Sequence, residues 1–353
     1  GYGYGAIGGI GVPLKRLSRP SLSRGQNAVS DFIPVARIAD MLLNPGQPYS
    51  FNGNHNEYPD IRLVYWCGGN PFHHHQDLNR LREAWKQPET IIVHEPWWTA
   101  TAKHSDIIFP ATTPYEREDI ARSATDSFLF HMPELISPLN DARDDYQIFS
   151  DLATRLHIDE VYTEGRDADA WLRYLYQGFQ RDSADQGVDL PDYDSLRATN
   201  WVELPISGAE HARIPFENFR ADPKTAPLDT PSGRIEIFSE TVDSFGYDDC
   251  PGHPVWRAPD EWLGAVSAEK FPLHLVSPQP GDKLHSQLEC AIADRPGARP
   301  ATVTISAADA QQRGIEIGDV IRISNERGAC LARASVSTDI RQGVVSLSTG
   351  AWH

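Results

Sequence analysis

The sequence is poor in cysteine, in long apolar runs and in net positive charge. Its 353 residues include four cysteines, none in a Cys-x-x-Cys pair, which excludes an iron–sulfur or zinc-ribbon site within this stretch. Apolar runs such as Leu63–Cys67 fall far short of the roughly 20 residues that a membrane-spanning helix needs. The excess of 49 acidic over 32 basic residues gives a net charge of −17, which disfavours nucleic acid and membrane surfaces as partners.

The overall composition is that of a protein that can form a complete hydrophobic core. Hydrophobic residues make up 40% of the chain and charged residues 23%, and the length is typical of two domains. From the change in pattern along the chain we predict an α/β domain over residues 1–180. An irregular, Pro-rich connector over residues 181–268, with short elements such as RIEIFSE, and a β-barrel domain over residues 269–353 are predicted to follow.

The α/β prediction depends on residues 61–113. IRLVYWC and TIIVHE are apolar runs with β-branched members, as is typical of strands buried on both faces of a sheet. FHHHQDLNRLREAWKQ lies between them and has helical spacing, so we predict a single helix that ends at Pro88. IIFPATT follows as a third strand. Alternating strands and helices predict a parallel sheet of the dinucleotide-binding type.

The barrel prediction depends on the residues after Phe271. LHLVS, TVTIS, DVIRIS, CLARASVS and GVVSLS read as short strands, and AADAQQRG reads as a small helix. The segment from Asn325 to Gly328 is predicted to be a tight hairpin turn. Several short strands at this spacing indicate a small closed barrel.

A glycine-rich loop at residues 68–75 is the first candidate site. It leaves the carboxyl end of a strand, where α/β sheets bind ligands, and its glycines let a pyrophosphate approach the backbone. Asn70 can cap the following helix or donate its amide, and His74 could donate to a phosphate. Three adjacent histidines on a helix point about 100° apart and cannot converge on one ion, so a nucleotide-contacting loop is favoured over a zinc site and over surface histidines.

Charged side chains follow the next two strands. His94 and Glu95 end one strand, where an acidic group can hold a ribose hydroxyl or the edge of a guanine, and a solvated glutamate is the alternative. Arg117 suits a phosphate or carboxylate, and a surface ion pair with Glu116 or Asp119 is the alternative.

Two further candidates lie later in the chain. Asp145 in DARDDYQIF stands where a helix N-cap is expected. A polar loop follows the first barrel strand and is dense in donors and acceptors, which favours ligand binding over packing. Its candidate residues are Ser277, Pro278, Gln279, Pro280, Lys283, His285, Ser286 and Gln287.

Four long motifs resemble one family in the same order along the chain. WCGGNPFHHHQDLNRL, VHEPWWTATAKHSDIIFPATTPYERED, TPSGRIEIFSE and SPQPGDKLHSQ are similar to the molybdopterin S- and N-oxide reductases of the dimethyl sulfoxide reductase superfamily, biotin/methionine sulfoxide reductases above all. The resemblance implies a molybdenum bis(molybdopterin guanine dinucleotide) cofactor. It also implies oxygen-atom transfer from a small-molecule substrate, namely biotin or methionine sulfoxide, dimethyl sulfoxide or trimethylamine N-oxide, with electrons from an unidentified donor.

The resemblance also implies roles for the candidate residues and a barrel of the six-stranded double-psi type. Asn70 and His74 would contact the phosphate and sugar region of one dinucleotide, His94 and Glu95 its nucleoside end, Arg117 its phosphates and Asp145 its guanine. The barrel loop, comprising 277–280, 283 and 285–287, would hold the pterin and phosphates. The family usually has arginine at the position of Lys283, so the charge is kept and the bidentate phosphate contact is lost.

The resemblance further implies a serine ligand to molybdenum upstream of this stretch and more barrel beyond it. We therefore expect the chain to be the middle-to-late part of a larger enzyme, inactive on its own, with a truncated barrel. Another superfamily member, such as a formate dehydrogenase or a nitrate reductase, and a non-catalytic nucleotide-binding fragment are the alternatives. The expected compartment is the cytoplasm or the periplasm, with preference for the cytoplasm.

Overall fold

A computed structural model describes residues 17, 20–122, 127–205, 216–281, 283–285, 287 and 301–351. Contacts divide the described residues into two compact units. The first unit consists of the described residues within Gly1–Ser30 and Phe109–Ile237, and the second consists of those within Asp31–Ile108 and Phe238–His353. The three-segment division that we drew from the sequence, at residues 180 and 268, stays a prediction.

The described residues contain both helices and strands along their whole length. The α-helices are α1 (Ile38–Leu43), α2 (Pro71–His74), α3 (Leu78–Ala84), α4 (Ala100–Lys103), α5 (Asp145–Arg155), α6 (Asp159–Thr163), α7 (Ala168–Ala184), α8 (Tyr193–Thr199), α9 (Glu217–Ala221), α10 (Glu240–Asp243) and α11 (Ala307–Arg313). The strands are β1 (Pro48–Phe51), β2 (Asn54–Glu57), β3 (Leu63–Cys67), β4 (Thr90–His94), β5 (Ile107–Phe109), β6 (Asp119–Ala121), β7 (Phe128–Met132), β8 (Trp201–Glu203), β9 (His274–Val276), β10 (Thr302–Ser306), β11 (Val320–Ser324), β12 (Ala329–Ser337) and β13 (Val344–Leu347).

The predicted parallel α/β sheet is confirmed. Strands β3, β4 and β5 form one sheet in that order, and β3 runs parallel to β4 with Cys67 opposite His94. Helices α2 and α3 connect these two strands, as a parallel pair requires. Buried Leu81, Ile91 and Val93 belong to one apolar cluster that joins the helices to the sheet.

Two details of this region differ from the sequence prediction. The single helix over residues 72–87 is wrong: it is split into α2 and α3 at Asp77, whose φ of 49° is left-handed and cannot continue a helix. The Asp77 carboxylate instead caps α3 by accepting from the Arg80 backbone N–H at 3.2 Å. The prediction that β3 is buried on both faces is also wrong, since it is an edge strand and Leu63 is 54% exposed.

The second unit also holds the C-terminal sheet. Five strands lie in the order β11-β12-β10-β13-β9, and parallel pairs alternate with antiparallel ones. Val303, Ile305 and Val345 form its buried core with α11 packed against it. The predicted hairpin turn is confirmed, because Asn325 donates its N–H to the Gly328 carbonyl at 3.0 Å between antiparallel β11 and β12.

The first unit combines an antiparallel sheet with helices. Strands β6, β7 and β8 pair in that order. Tyr176 and Phe179 of α7 and Leu196 of α8 are almost completely buried against it. The predicted short element at RIEIFSE is not formed, since described residues 234–239 contain neither helix nor strand and no neighbouring strand covers Ile235, which is 74% exposed. Within the described part of the chain, no helix is long and apolar enough to cross a membrane.

Candidate functional site

The loops that follow β3 and β4 leave the sheet at the same edge. The parallel register places Cys67 opposite His94, so residues 68–70 and Glu95 both emerge there. Gly68 and Gly69 each have a φ of 79°, a conformation that side chains with a Cβ rarely adopt. A Cβ built on Gly68 would meet no atom within 4 Å, so this turn exposes backbone to open space. The edge therefore offers a ligand direct access to the main chain.

Asn70 closes this turn and is 7% exposed. Its side-chain Oδ1 accepts a hydrogen bond from the Thr101 hydroxyl at 2.5 Å. Its Nδ2 is buried and has no hydrogen-bond partner within the described residues. The side chain does not cap α2. Of the two roles predicted for Asn70, helix cap and amide donor, the geometry is consistent with the donor. A phosphate could accept a hydrogen bond from this buried N–H group, which otherwise has no partner within the described residues.

His94 and Glu95 occupy different environments although they are neighbours. His94 is 4% exposed, and its Nε2 lies 2.9 Å from the Tyr65 hydroxyl on the adjacent strand. Glu95 is half-buried, and its Oε2 accepts from the Thr99 hydroxyl at 3.1 Å. Burial raises the pKa of Glu95 above its ordinary value, although hydrogen bonds from Thr99 and from the Trp97 backbone act in the opposite direction. Glu95 is therefore not the freely solvated glutamate that was the alternative.

His74 lies beside a residue of the polar loop in the C-terminal sheet. Its ring centroid is 5.5 Å from that of His285, and the two planes are inclined by 62°. Both side chains are exposed. Two of the predicted site segments, the glycine-rich loop and the barrel loop, are thus brought together within the second unit.

The barrel loop is held by hydrogen bonds within itself and to the segment after β13. The Gln279 side chain donates to the Lys283 carbonyl at 2.9 Å, and the Pro278 carbonyl accepts from the Thr349 N–H at 3.2 Å. Lys283 Nζ lies 3.4 Å from the Gly350 carbonyl. Most of its side chains face solvent: Ser277, Pro278, Gln279, His285 and Gln287 are exposed, and Pro280 and Lys283 are intermediate. The prediction for Ser286 lies outside the described residues.

Arg117 and Asp145 belong to the first unit. Arg117 forms an ion pair with Asp119, one of the two partners considered from the sequence. The helix cap at α5 is Asp144, whose carboxylate accepts from the Gln147 N–H at 2.8 Å, so the N-cap interpretation of Asp145 is wrong by one residue. Asp144 has the extended backbone that a cap requires, and the exposed Asp145 is the first helical residue.

Sequence reasoning missed the residues that support this edge. Thr101, on the first turn of α4, holds Asn70, and Thr99 both contacts Glu95 and caps α4 through the Ala102 N–H at 3.2 Å. The signal available in the sequence was the polar pair T-x-T at the start of a short helix. Within the described residues, no three histidine, cysteine or acidic side chains are grouped to hold a metal ion.

Two protein-family models match the chain. Molybdopterin oxidoreductase matches residues 21–155, and the molybdopterin dinucleotide binding domain matches residues 273–353. The first range includes the edge formed by β3 and β4, and the second includes the barrel loop.

Curated relatives are similar along almost the whole chain. Biotin sulfoxide reductase from Cereibacter sphaeroides is 48% identical over 100% of this chain and 47% of its own length. Dimethyl sulfoxide/trimethylamine N-oxide reductase from the same organism is 43% identical over 99% of the chain and 42% of its own length. Trimethylamine-N-oxide reductase from Haemophilus influenzae is 43% identical over 91% of this chain and 39% of its own length. The chain thus spans less than half the length of each of these relatives.

A solved structure shows a similar fold. Acetylene hydratase from Pelobacter acetylenicus superposes with a TM-score of 0.60 over 84% of this chain and 38% of its own length. Its sequence identity of 16% supports likeness of fold alone.

Proposed function

We propose that this chain, which belongs to the molybdopterin oxidoreductase family, is part of an enzyme that reduces a sulfoxide or an N-oxide with a molybdenum bis(molybdopterin guanine dinucleotide) cofactor. The observation that carries this proposal is Asn70 Nδ2 at the sheet edge, in the segment that matches the family model. This nitrogen is buried and has no hydrogen-bond partner within the described residues. The relatives named above as sulfoxide and N-oxide reductases support the substrate class. Electrons would come from a donor that we leave unassigned.

The donors at the edge suit an anionic dinucleotide. The Asn70 amide, the neighbouring imidazoles of His74 and His285, and the ammonium group of Lys283 can each donate to phosphate oxygens. The glycine turn adds backbone that a diphosphate can approach closely. We propose that these groups hold the phosphates and sugar of the cofactor. For the remaining predicted contacts we propose the roles that the resemblance implies: His94 at the nucleoside end, Arg117 at the phosphates, and the other barrel-loop residues at the pterin and phosphates. These barrel-loop residues are Ser277, Pro278, Gln279, Pro280, Ser286 and Gln287.

Two carboxylates could recognise the nucleoside end of the dinucleotide. A carboxylate can accept from a ribose hydroxyl or from both N–H groups of a guanine edge. We propose Glu95 and Asp145 for these contacts. The ionised Glu95 carries a desolvation penalty, and a donating ligand would offset it. When bound, the molybdenum of the cofactor supplies the oxygen-atom transfer, and the residues of this chain bind and orient it.

We further propose that the five-stranded C-terminal sheet is part of a six-stranded double-psi-type barrel. Its alternation of parallel and antiparallel neighbours supports this proposal, because a simple meander would be antiparallel throughout.

The experiment uses the full-length protein, purified from cells supplied with molybdate. We expect molybdenum, guanine nucleotide released by acid hydrolysis, and reduction of methionine sulfoxide or trimethylamine N-oxide with reduced viologen. In the variant Asn70→Ala, molybdenum and nucleotide per polypeptide should fall about ten-fold, since a hydrogen bond to a charged group is lost. The exposed asparagine in Asn54→Ala is the control and should leave both unchanged. Protein without molybdenum or guanine nucleotide would contradict the proposal.

A further inference from the structure

We propose that Thr101 is a positioning residue for cofactor binding: its hydroxyl fixes the orientation of the Asn70 amide so that Nδ2 faces the phosphates of the dinucleotide. The inference rests on the function proposed above and adds a residue that the motifs did not identify. It follows from the contact between the Thr101 hydroxyl and Asn70 Oδ1, 31 positions apart in the sequence.

The position of the Thr101 hydroxyl is set by the main chain around it. Thr101 has no exposed surface and lies on the first turn of α4. That turn is capped by the Thr99 hydroxyl, and the Thr101 carbonyl accepts from the Ser105 hydroxyl at 2.7 Å. Because the helix is fixed at both ends, the Thr101 hydroxyl is held in a fixed position next to Asn70. It therefore loses little conformational freedom when it forms the hydrogen bond to Oδ1.

The orientation of an amide decides what it offers a ligand. An asparagine side chain ends in one acceptor, Oδ1, and one NH₂ donor, Nδ2. Since the Thr101 hydroxyl donates to Oδ1, the atom left over is the buried Nδ2. A diphosphate presents only acceptors, so it gains a hydrogen bond from Nδ2 and would meet repulsion from Oδ1 if the amide were reversed. A threonine hydroxyl can also accept a hydrogen bond, so it is the direction of this bond, from Thr101 to Oδ1, that leaves Nδ2 for the anion.

Without an anion the arrangement is unfavourable by itself. A buried N–H group that lacks a partner retains a desolvation cost. Thr101 therefore stabilises a side-chain orientation whose benefit is realised on binding. If the contact between Thr101 and Asn70 served only the fold, both the oxygen and the nitrogen of the Asn70 amide would be expected to have partners inside the protein.

The test compares Thr101→Val, which keeps the shape and removes the hydroxyl, with Thr101→Ser, which keeps the hydroxyl. In the full-length holoprotein we measure the rate at which molybdenum and guanine nucleotide are lost after desalting. We expect loss about ten-fold faster in Thr101→Val, as for one hydrogen bond to a charged group, and a rate near wild type in Thr101→Ser. Equal rates in Thr101→Val and wild type would overturn the inference.

A double-mutant cycle separates positioning from a structural role. If Thr101 acts through Asn70, then Thr101→Val adds no further loss rate in an Asn70→Ala background. An undiminished additional effect there would contradict the inference. Thermal unfolding of the cofactor-free variants reports any effect on the fold separately.

Asn70→Asp keeps the inference testable if Thr101→Val does not fold. The aspartate still accepts from Thr101 but presents a carboxylate oxygen where Nδ2 was, so we expect at least about ten-fold lower molybdenum and nucleotide content with an intact fold. Wild-type content in Asn70→Asp would refute the inference while leaving the proposed function standing. Absence of molybdenum and guanine nucleotide from the wild-type protein would instead refute the proposed function itself.

Discussion

The loops after β4 and after β5 each pair a glutamate with a nearby threonine, yet their carboxylates are perturbed in opposite directions. Glu116 accepts from the Thr113 backbone N–H and hydroxyl, each at 2.7 Å, and from the Leu139 N–H at 2.9 Å. These hydrogen bonds lower the pKa of Glu116. Burial dominates at Glu95 and raises its pKa, although Thr99 donates to it.

This difference shows that the balance between hydrogen-bond donors and desolvation decides which state of a carboxylate the fold favours. Glu116 is 5% exposed, yet three donors from its own unit stabilise its ionised form. At Glu95 desolvation by burial is the larger effect, and the hydrogen bonds from Thr99 and the Trp97 backbone do not offset it. Glu116 therefore contributes to the fold of the first unit, whereas Glu95 is the carboxylate for which ligand recognition is proposed above.

The largest effect should come from removing the satisfied carboxylate. Glu116→Ala removes a buried side chain and leaves the Thr113 and Leu139 N–H groups without their acceptor, so we expect it to lower the free energy of unfolding by about 2–4 kcal/mol. Urea unfolding followed by circular dichroism measures this. The exposed Glu134→Ala is the matched control and should change stability by less than about 0.5 kcal/mol. A similarly small effect of Glu116→Ala would contradict the claim that Glu116 stabilises the fold of the first unit.

An intermediate effect is expected at Thr99, which joins Glu95 to the start of α4. Thr99→Val removes both the helix cap and the hydrogen bond to Glu95, so we expect a loss of about 1 kcal/mol in the free energy of unfolding. Thr99→Ser keeps both contacts and should remain close to wild type. A loss as large as that of Glu116→Ala would mean that Glu95 too is held mainly by its own loop.

The sequence predicts the parts of this site that depend on local chemistry. The strand ends at residues 67 and 94 follow from apolar runs that stop at a pair of glycines and at His94, and the parallel sheet brings Asn70 and Glu95 to one edge. The hairpin at 325–328 follows from its turn residues. The cofactor class followed from the resemblance of whole motifs to a family.

Contacts between distant residues were not predictable in this way. Nothing in the sequence around Asn70 indicates that Thr101 is its partner, because the contact depends on how α4 returns to the sheet edge. The split of the predicted helix at Asp77 depends on a left-handed backbone that helical spacing does not reveal. The cap at Asp144 was missed because two adjacent aspartates are equivalent by residue type.

The smallest and most discriminating effect should be the pH dependence that Glu95 contributes. Its folded-state pKa is raised above the ordinary 4.5, so between 4.5 and that raised value the folded state binds more protons, and stability falls as the pH rises. Glu95→Gln should remove this decline and stabilise the cofactor-free protein at neutral pH by less than about 1 kcal/mol. Glu116→Gln has the opposite sign: the lowered pKa of Glu116 stabilises the fold above 4.5, and this contribution is lost as the pH falls through the folded-state pKa. Urea midpoints of both variants, followed from neutral pH down through the lowered folded-state pKa of Glu116, measure this contrast. Parallel pH profiles would show that the two carboxylates do not differ.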